Sequence, residues 1–209
     1  MKKRTIIMMS LLLFGCGPKV SNETPTTESL MIGGSSGNEL AQEQVFRKNN
    51  GSDPGTLDPH RAEGVPASNV LRDLYEGLVS EAANGDYIPG VAESWSISED
   101  GKTYRFKIRE EAVWSNGDRV VAEDFVFSLR RSVDPKTLSN YSSMLYPIKN
   151  ARDVVLGKLP TDKLSVSAES EKTLLIELEE PTPYFISLLT HSTTYPVHPP
   201  SVRQHGSSF

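Results

Sequence analysis

Ser94-Trp95-Ser96-Ile97-Ser98-Glu99-Asp100-Gly101-Lys102-Thr103-Tyr104-Arg105-Phe106-Lys107-Ile108-Arg109 is the stretch from which the fold is read. Tyr104, Phe106 and Ile108 alternate with Arg105, Lys107 and Arg109. Successive strand side chains point to opposite faces, so this alternation predicts a strand with one buried and one wet face. Glu99-Asp100-Gly101-Lys102 has turn chemistry and joins that strand to the arm at 94–98, giving a hairpin. Residues 164–168 and 173–178 flank Glu169-Ser170-Glu171-Lys172 in the same way and predict a second hairpin.

Helical periodicity surrounds these hairpins. From Ser68, the apolar residues Val70, Leu71, Leu74, Tyr75, Leu78 and Val79 fall on one stripe of a helix of about three turns. Ala122, Phe125, Val126, Leu129 and Val133 form a second stripe, closed by Asp134-Pro135. Glu180-Pro181-Thr182-Pro183 opens a short apolar helix through Tyr184, Phe185, Ile186, Leu188 and Leu189. Val45-Phe46-Arg47 reads as a short strand, followed by a polar, turn-rich run to Pro59, and Asn116-Gly117-Asp118 reads as a turn. Strands mixed with helices predict an α/β fold, a mixed α+β unit without internal repeats.

The chain has 209 residues, enough for one ordinary domain or two small ones. Hydrophobic residues make up 37% and 15 glycines are added to them, so a core can form and disorder of the whole chain is excluded. A net charge of −5 argues against a nucleic-acid partner, which calls for a basic face. One cysteine excludes an internal disulfide and any zinc site built on several thiolates.

That cysteine sits at the front. Lys2-Lys3-Arg4, a short apolar run to Phe14 and then Gly15-Cys16 describe a secretory signal at 1–15. The run is too short for a permanent span, which needs about 20 residues. Leu13-Phe14-Gly15-Cys16 resembles a bacterial lipobox, in which Cys16 is acylated and becomes the new N-terminus. The alternative is an ordinary signal peptide with an incidental cysteine. Residues 16–43, rich in Pro, Thr, Ser and Gly, read as the lipidated cysteine and a flexible tether. The expected location is the cell envelope, anchored by lipid and facing the periplasm or the exterior.

Candidate chemistry is sparse. Gly33-Gly34-Ser35-Ser36-Gly37 matches the nucleophile-elbow pattern, but it lies in the tether and lacks the strand and helix that strain such a serine. His191, His198 and His205 recur every seven residues, yet Pro196, Pro199 and Pro200 are expected to break a helix that would align them. Glu110-Glu111 and Glu179-Glu180 read as solvated turn charges. No nucleophile–base arrangement stands out, so the chain is expected not to be an enzyme and to need no metal or cofactor.

Three stretches carry a resemblance. The first runs from Asn49 through Leu57-Asp58-Pro59-His60 and Glu63-Gly64-Val65-Pro66 to Arg72-Asp73-Leu74-Tyr75-Glu76-Gly77-Leu78. The second joins Pro89-Gly90-Val91-Ala92-Glu93-Ser94-Trp95 to Asp100–Phe106 with Ile108-Arg109, Val113-Trp114-Ser115-Asn116-Gly117-Asp118 and Ala122-Glu123-Asp124-Phe125-Val126 with Ser128. The third is Arg131-Ser132-Val133-Asp134-Pro135 with Tyr141 and the later Glu180–Phe185 run. In order and spacing they resemble an extracellular solute-binding protein of the oligopeptide-binding (dipeptide/oligopeptide/nickel) family. One departure is Val121, where relatives carry a hydroxyl that would cap the following helix at a value of about 1 kcal/mol.

The resemblance implies the N-terminal part of a two-lobed, periplasmic-binding-protein-like clamshell, with the second lobe absent. Its first lobe would begin at 44–77, continue in an inserted subdomain at 78–200, and start to return at 201–209. It implies capture of short peptides and delivery to the permease subunits of an ABC importer. By alignment, Glu63 and Val65 fall in the loop beside the peptide backbone, Tyr141 matches an aromatic near the pocket, and His191 lies toward the ligand's far end. Each has a plainer reading as well: Val65 as entry to a helix, Tyr141 as a subdomain contact, Glu63 and His191 as surface loop residues. Half a clamshell is expected not to bind alone, and a remnant or accessory lipoprotein without a transport role is the alternative. Apolar residues of the first segment, such as Val45 and Phe46, are expected to be poorly covered.

Overall fold

The alternation at Tyr104, Phe106 and Ile108 is realised as a buried ridge. A computed structural model describes residues 45–206. In it β3 (Ala92–Ile97) pairs with β4 (Thr103–Ile108), and β4 pairs with β6 (Thr173–Glu177). β5 (Val166–Ser170) closes an antiparallel sheet of order β3-β4-β6-β5. Both predicted hairpins are therefore present and lie side by side. The register sets Tyr104 opposite Ile176 and Phe106 opposite Leu174, so one face is continuous hydrocarbon. The other face is wet, and on it Lys107 pairs with Glu93 and Arg105 with Glu169. Such exposed pairs each contribute at most about 1 kcal/mol.

α2 (Ala122–Val133) covers the apolar face. Phe125, Leu129, Phe106, Leu174 and Ile176 are all fully buried in one cluster that reaches from Leu78 to Leu189. Val121 gives α2 no side-chain cap, and the helix start is held by other bonds. Asp124 Oδ2 accepts from the Val121 N–H at 3.1 Å and from Trp114 Nε1 at 3.0 Å, while the Glu171 carbonyl accepts from the Ala122 N–H at 2.8 Å. α2 ends at Asp134-Pro135, as its pattern predicts.

The first helix differs from its expected bounds. α1 runs Gly64–Leu74, and Tyr75 is already extended. Leu78 and Val79 are buried in the sheet cluster instead, with Val79 in β1 (Val79–Glu81), which pairs with β2 (Tyr87–Pro89). The break follows from a close backbone approach at two glycines. A Cβ on Gly90 would lie 2.5 Å from the Gly77 carbonyl oxygen, and the Val91 N–H donates to that oxygen at 2.9 Å. Ala62, Ala67 and Leu71 of α1 and its approach form a separate small cluster with Tyr75.

Val45-Phe46-Arg47 is not a strand: no described residue pairs with it, and Val45 and Phe46 are 57% and 87% exposed. The signal segment, Cys16, the tether and Gly33–Gly37 lie outside the described residues. Pro199 and Pro200 open a helix, α5 (Pro199–His205), where their missing N–H groups cost nothing. Between β6 and α5 the short α4 (Phe185–Leu188) follows the Pro-Thr-Pro segment as expected. No described helix is long and apolar enough to cross a membrane.

Asp124 thus ties α2 to the turn at Trp114. Replacing it with Ala removes one cap acceptor and leaves the indole N–H unpaired, a cost of about 1–3 kcal/mol in urea unfolding. A change under about 0.5 kcal/mol would show that the Glu171 carbonyl alone holds the helix start.

Candidate functional site

Glu63, Val65, Tyr141 and His191 line one shallow pocket, although up to 128 positions separate them in the chain. Ala62, Gly64, Ser68 and Ser192 complete its wall, and its volume is about 190 Å³. Glu63 is the residue before α1, in extended backbone, and Val65 stands in the first helical turn instead of a loop. Gly64 between them has φ of +80°, a left-handed backbone that glycine adopts without strain. That twist, with Pro66 after it, leaves Val65 71% exposed at the rim. The Glu63 carboxylate accepts from Asn140 Nδ2 at 3.0 Å, which draws residues 140–141 to the start of α1.

Tyr141 and His191 pack edge to face, with ring centroids 4.8 Å apart. His191 Nδ1 accepts from the Thr193 N–H at 3.2 Å, so in the neutral ring the proton sits on Nε2. Burial, and after it the charge of Arg72, pushes the His191 pKa below its usual value. The pocket therefore offers one carboxylate, one neutral imidazole, one phenol and a short apolar rim. That set suits hydrogen bonding and stacking, and it contains no nucleophile paired with a base.

A buried polar cluster precedes Glu63 in the chain and joins the 58–60 turn to α2. Arg131 Nη2 and Nη1 donate to Asp58 Oδ2 and Oδ1 at 2.6 and 2.9 Å, a two-pronged pair in which Asp58 is 3% exposed. Arg131 Nη1 also donates to His60 Nδ1 at 2.8 Å. Because guanidinium only donates, that nitrogen carries no proton, and Nε2 donates to the Tyr195 carbonyl at 3.0 Å. Burial is the largest influence on His60, and with the Arg131 charge it lowers the pKa to about 4. For Asp58 burial acts upward, but the Arg131 hydrogen bond and charge, with His60, outweigh it and hold the carboxyl below its usual range. Asp58, His60 and Arg131 stand in the stretches quoted above, yet nothing in their spacing reveals that they meet.

The three recurring histidines do not converge. His191 is in the pocket, His198 bonds Asp118 and Ser201, and His205 is exposed at the end of α5. Among the described residues no group of three or more His, Cys, Asp or Glu could hold a metal ion. Two larger grooves, about 700 and 620 Å³, flank α5 and contain none of the four pocket residues. The first is lined by Phe127, Val202 and Arg203, the second by Trp114, His198 and the Arg109–Glu76 pair.

Replacing Arg131 with Met keeps most of the side-chain bulk but strands a buried carboxylate. The expected loss is about 3–5 kcal/mol in urea or thermal unfolding. Asp58→Asn together with Arg131→Met should recover part of it, and a fully additive double variant would show that the pair is not coupled.

Comparison with known proteins follows the same outline. The family model for bacterial extracellular solute-binding proteins, family 5 (middle), matches residues 86–208, more than half of the chain. The periplasmic oligopeptide-binding protein OppA of Escherichia coli (strain K12) is 45% identical over 172 residues, 81% of this chain and 32% of that protein. The oligopeptide-binding protein OppA of Bacillus subtilis (strain 168) is 35% identical over 203 residues, 95% of this chain and 36% of that protein. The crystal structure of Haemophilus influenzae OppA in complex with RPPGFSPFR aligns with a TM-score of 0.75 at 44% identity, over 77% of this chain and 32% of that one. The chain spans about a third of the length of these relatives. Its mixed α/β fold is that of the matching part of the OppA structures, and the chain belongs to the bacterial extracellular solute-binding proteins of family 5.

Proposed function

We propose that this chain supplies one wall of a peptide-binding cleft in a solute-binding protein that captures oligopeptides outside the cytoplasm and passes them to the permease subunits of an ABC importer. The observation that carries the reading is the convergence of Glu63, Val65, Tyr141 and His191, chosen by resemblance alone, on a single pocket. The relatives named above are oligopeptide-binding proteins, and one of the structures holds a nine-residue peptide. An extended peptide pairs through its main chain, which accepts many side-chain sequences. In this reading residues 44–77 belong to a main lobe, 78–200 to a subdomain inserted in it and 201–209 to the return, while acylated Cys16 holds the protein at the membrane surface.

A single wall binds weakly. Ligand sites typically enclose about 300–1,000 Å³ and bury most of the ligand. The pocket here measures about 190 Å³ and is open. Residues 17–209 alone are expected to give no saturable isotherm with tri- to pentapeptides at micromolar concentration. A chimera of the E. coli relative, with its matching third replaced by residues 45–206, is expected to bind them. Tyr141→Ala and His191→Ala in that chimera should weaken binding about tenfold each, near 1.4 kcal/mol. A tight isotherm for the isolated chain sinks the one-wall reading, and a folded chimera that ignores peptides sinks the peptide role.

A second reading is an accessory lipoprotein with no transport role. Intact mass of the native protein separates the two. A species near 23.0 kDa, less the signal and plus lipid, favours the accessory role, and a species several times heavier favours transport.

A further inference from the structure

The pocket is built from chain segments whose buried apolar clusters are separate and which meet through the stacked rings of Tyr75 and Tyr195, 6.5 Å apart. Its floor on one side is 62–68, whose own cluster is Ala62, Ala67 and Leu71 with Tyr75. Its other side is Tyr141 with 191–192; the adjoining Leu189 belongs to the sheet-and-α2 core, and the Val197 N–H donates to Ser128 of α2 at 2.9 Å. Three small-to-medium side chains contribute only a few kcal/mol, too little to fix a segment of this length against its conformational entropy. A further connection is polar and fully buried at His60. His60 reaches from the first segment to the Tyr195 carbonyl of the second, and Arg131 of α2 grips His60 and Asp58 together.

We infer that neutral His60 is the positioning residue of this pocket: through the Tyr195 carbonyl and Arg131 it locks the Glu63–Val65 segment against the His191 segment, and its protonation unlatches the two. The inference rests on the proposed peptide-facing role of those residues only for its biological meaning, since the lock itself is read without ligand.

The chemistry of the lock is one-sided. His60 uses Nδ1 as an acceptor toward a guanidinium and Nε2–H as a donor toward a carbonyl, so only the neutral ring in one tautomer satisfies both neighbours. A second proton would set N–H against N–H at a 2.8 Å separation beside a fixed positive charge. Each element packed near the ring presents its own groups. The turn at 58–60 presents the Asp58 carboxylate, already taken by Arg131 and the His60 N–H. α2 presents Arg131, and the extended stretch after α1 presents Tyr75, whose phenol burial and Asp58 push upward so that it stays neutral. The 191–197 segment presents the Tyr195 carbonyl, while the Tyr195 hydroxyl donates away to the Thr190 carbonyl. Among the described residues Asp58 is thus the acid facing His60, and it is committed to Arg131.

The sign follows by linkage. His60 titrates near 4 when locked and at 6.5 when the segment opens to water. Between those values the open form binds more protons, so acid favours opening. The opening constant rises roughly tenfold for each pH unit from 6.5 down to about 4, then levels off. Above 6.5 the lock is at full strength.

Native-state amide exchange on the full chain, corrected for intrinsic rate, tests this at pH 7.0 and 5.0. In the unmodified protein, amides of 60–68 and of 191–195 are expected to gain opening together by about 10- to 30-fold at the lower pH, while those of β4 and β6 hold. His60→Gln keeps an acceptor and a donor on one side chain but does not titrate, so it should retain protection at pH 7.0 and lose the acid response. His60→Ala should open both segments at pH 7.0. An acid response spread evenly over the sheet, or one that survives in His60→Gln, overturns the inference. Protection of 191–195 left unchanged in His60→Ala does the same. Because no peptide is present, these outcomes stand whether or not the chimera binds peptides.

Discussion

The guanidinium of Arg131 is the contact on which the candidate site depends. It is planar, always charged, and presents parallel N–H groups that match the Asp58 carboxylate while one of them also reaches His60. Burying two opposite charges costs several kcal/mol each in desolvation, and their attraction offsets this only when the remaining lone pairs are satisfied. Here the His60 backbone N–H donates to Asp58 Oδ1, and the His60 ring Nδ1 accepts from Arg131. Such a pair adds little net stability over a hydrocarbon substitute, but it tolerates only one arrangement. Its contribution is to place residues 58–65, a task that the small Ala62–Ala67–Leu71 cluster cannot perform.

Arg131 can do this because α2 is buried on two sides. One side is the apolar stripe of Phe125, Val126, Leu129 and Val133, packed on the sheet. The other is polar and equally hidden. Ser128 Oγ accepts from the Val197 N–H at 2.9 Å, and Ser132 Oγ shares a hydrogen bond with Thr193 Oγ1 at 3.0 Å. Ser128, Arg131 and Ser132 therefore fasten the 193–197 segment and the 58–60 turn to the helix that the hairpins support. Rigidity passes from sheet to α2 to pocket in that order.

That second side of α2 explains how much could be read in advance. The hairpins and the phase of α2 were legible, since strand alternation and the Phe125–Leu129 stripe are local patterns that the core then rewards. The burial of Ser128, Arg131 and Ser132 was not legible, because hydroxyls and a guanidinium give no sequence signal of burial. Leu78 and Val79 continued the helical period of α1, yet the Gly77–Gly90 approach, between residues 13 positions apart, turned them into the sheet cluster. The same non-locality hid the site. Glu63, Val65, Tyr141 and His191 came from resemblance to a family, and no chemistry in their spacing joins residue 63 to residue 191. Val45 and Phe46 had strand propensity but no described partner strand, and propensity without pairing leaves the backbone unassigned.

The division of work between surface and support bears on selectivity. The pocket surface is made largely of small or weakly committed groups, Ala62, Gly64, Val65 and Ser68, with Glu63 already bonded to Asn140. A wall of this kind imposes little demand on a ligand's side chains, because a strong preference needs a buried polar group that a wrong ligand would leave unpaired. The buried polar groups with strict requirements, Asp58, His60 and Arg131, are satisfied within the protein and so discriminate nothing. Their strictness is directed at geometry. In the proposed peptide role a broad ligand range and a precisely held backbone are therefore compatible, since the first would come from what the wall lacks and the second from the Asp58–His60–Arg131 cluster.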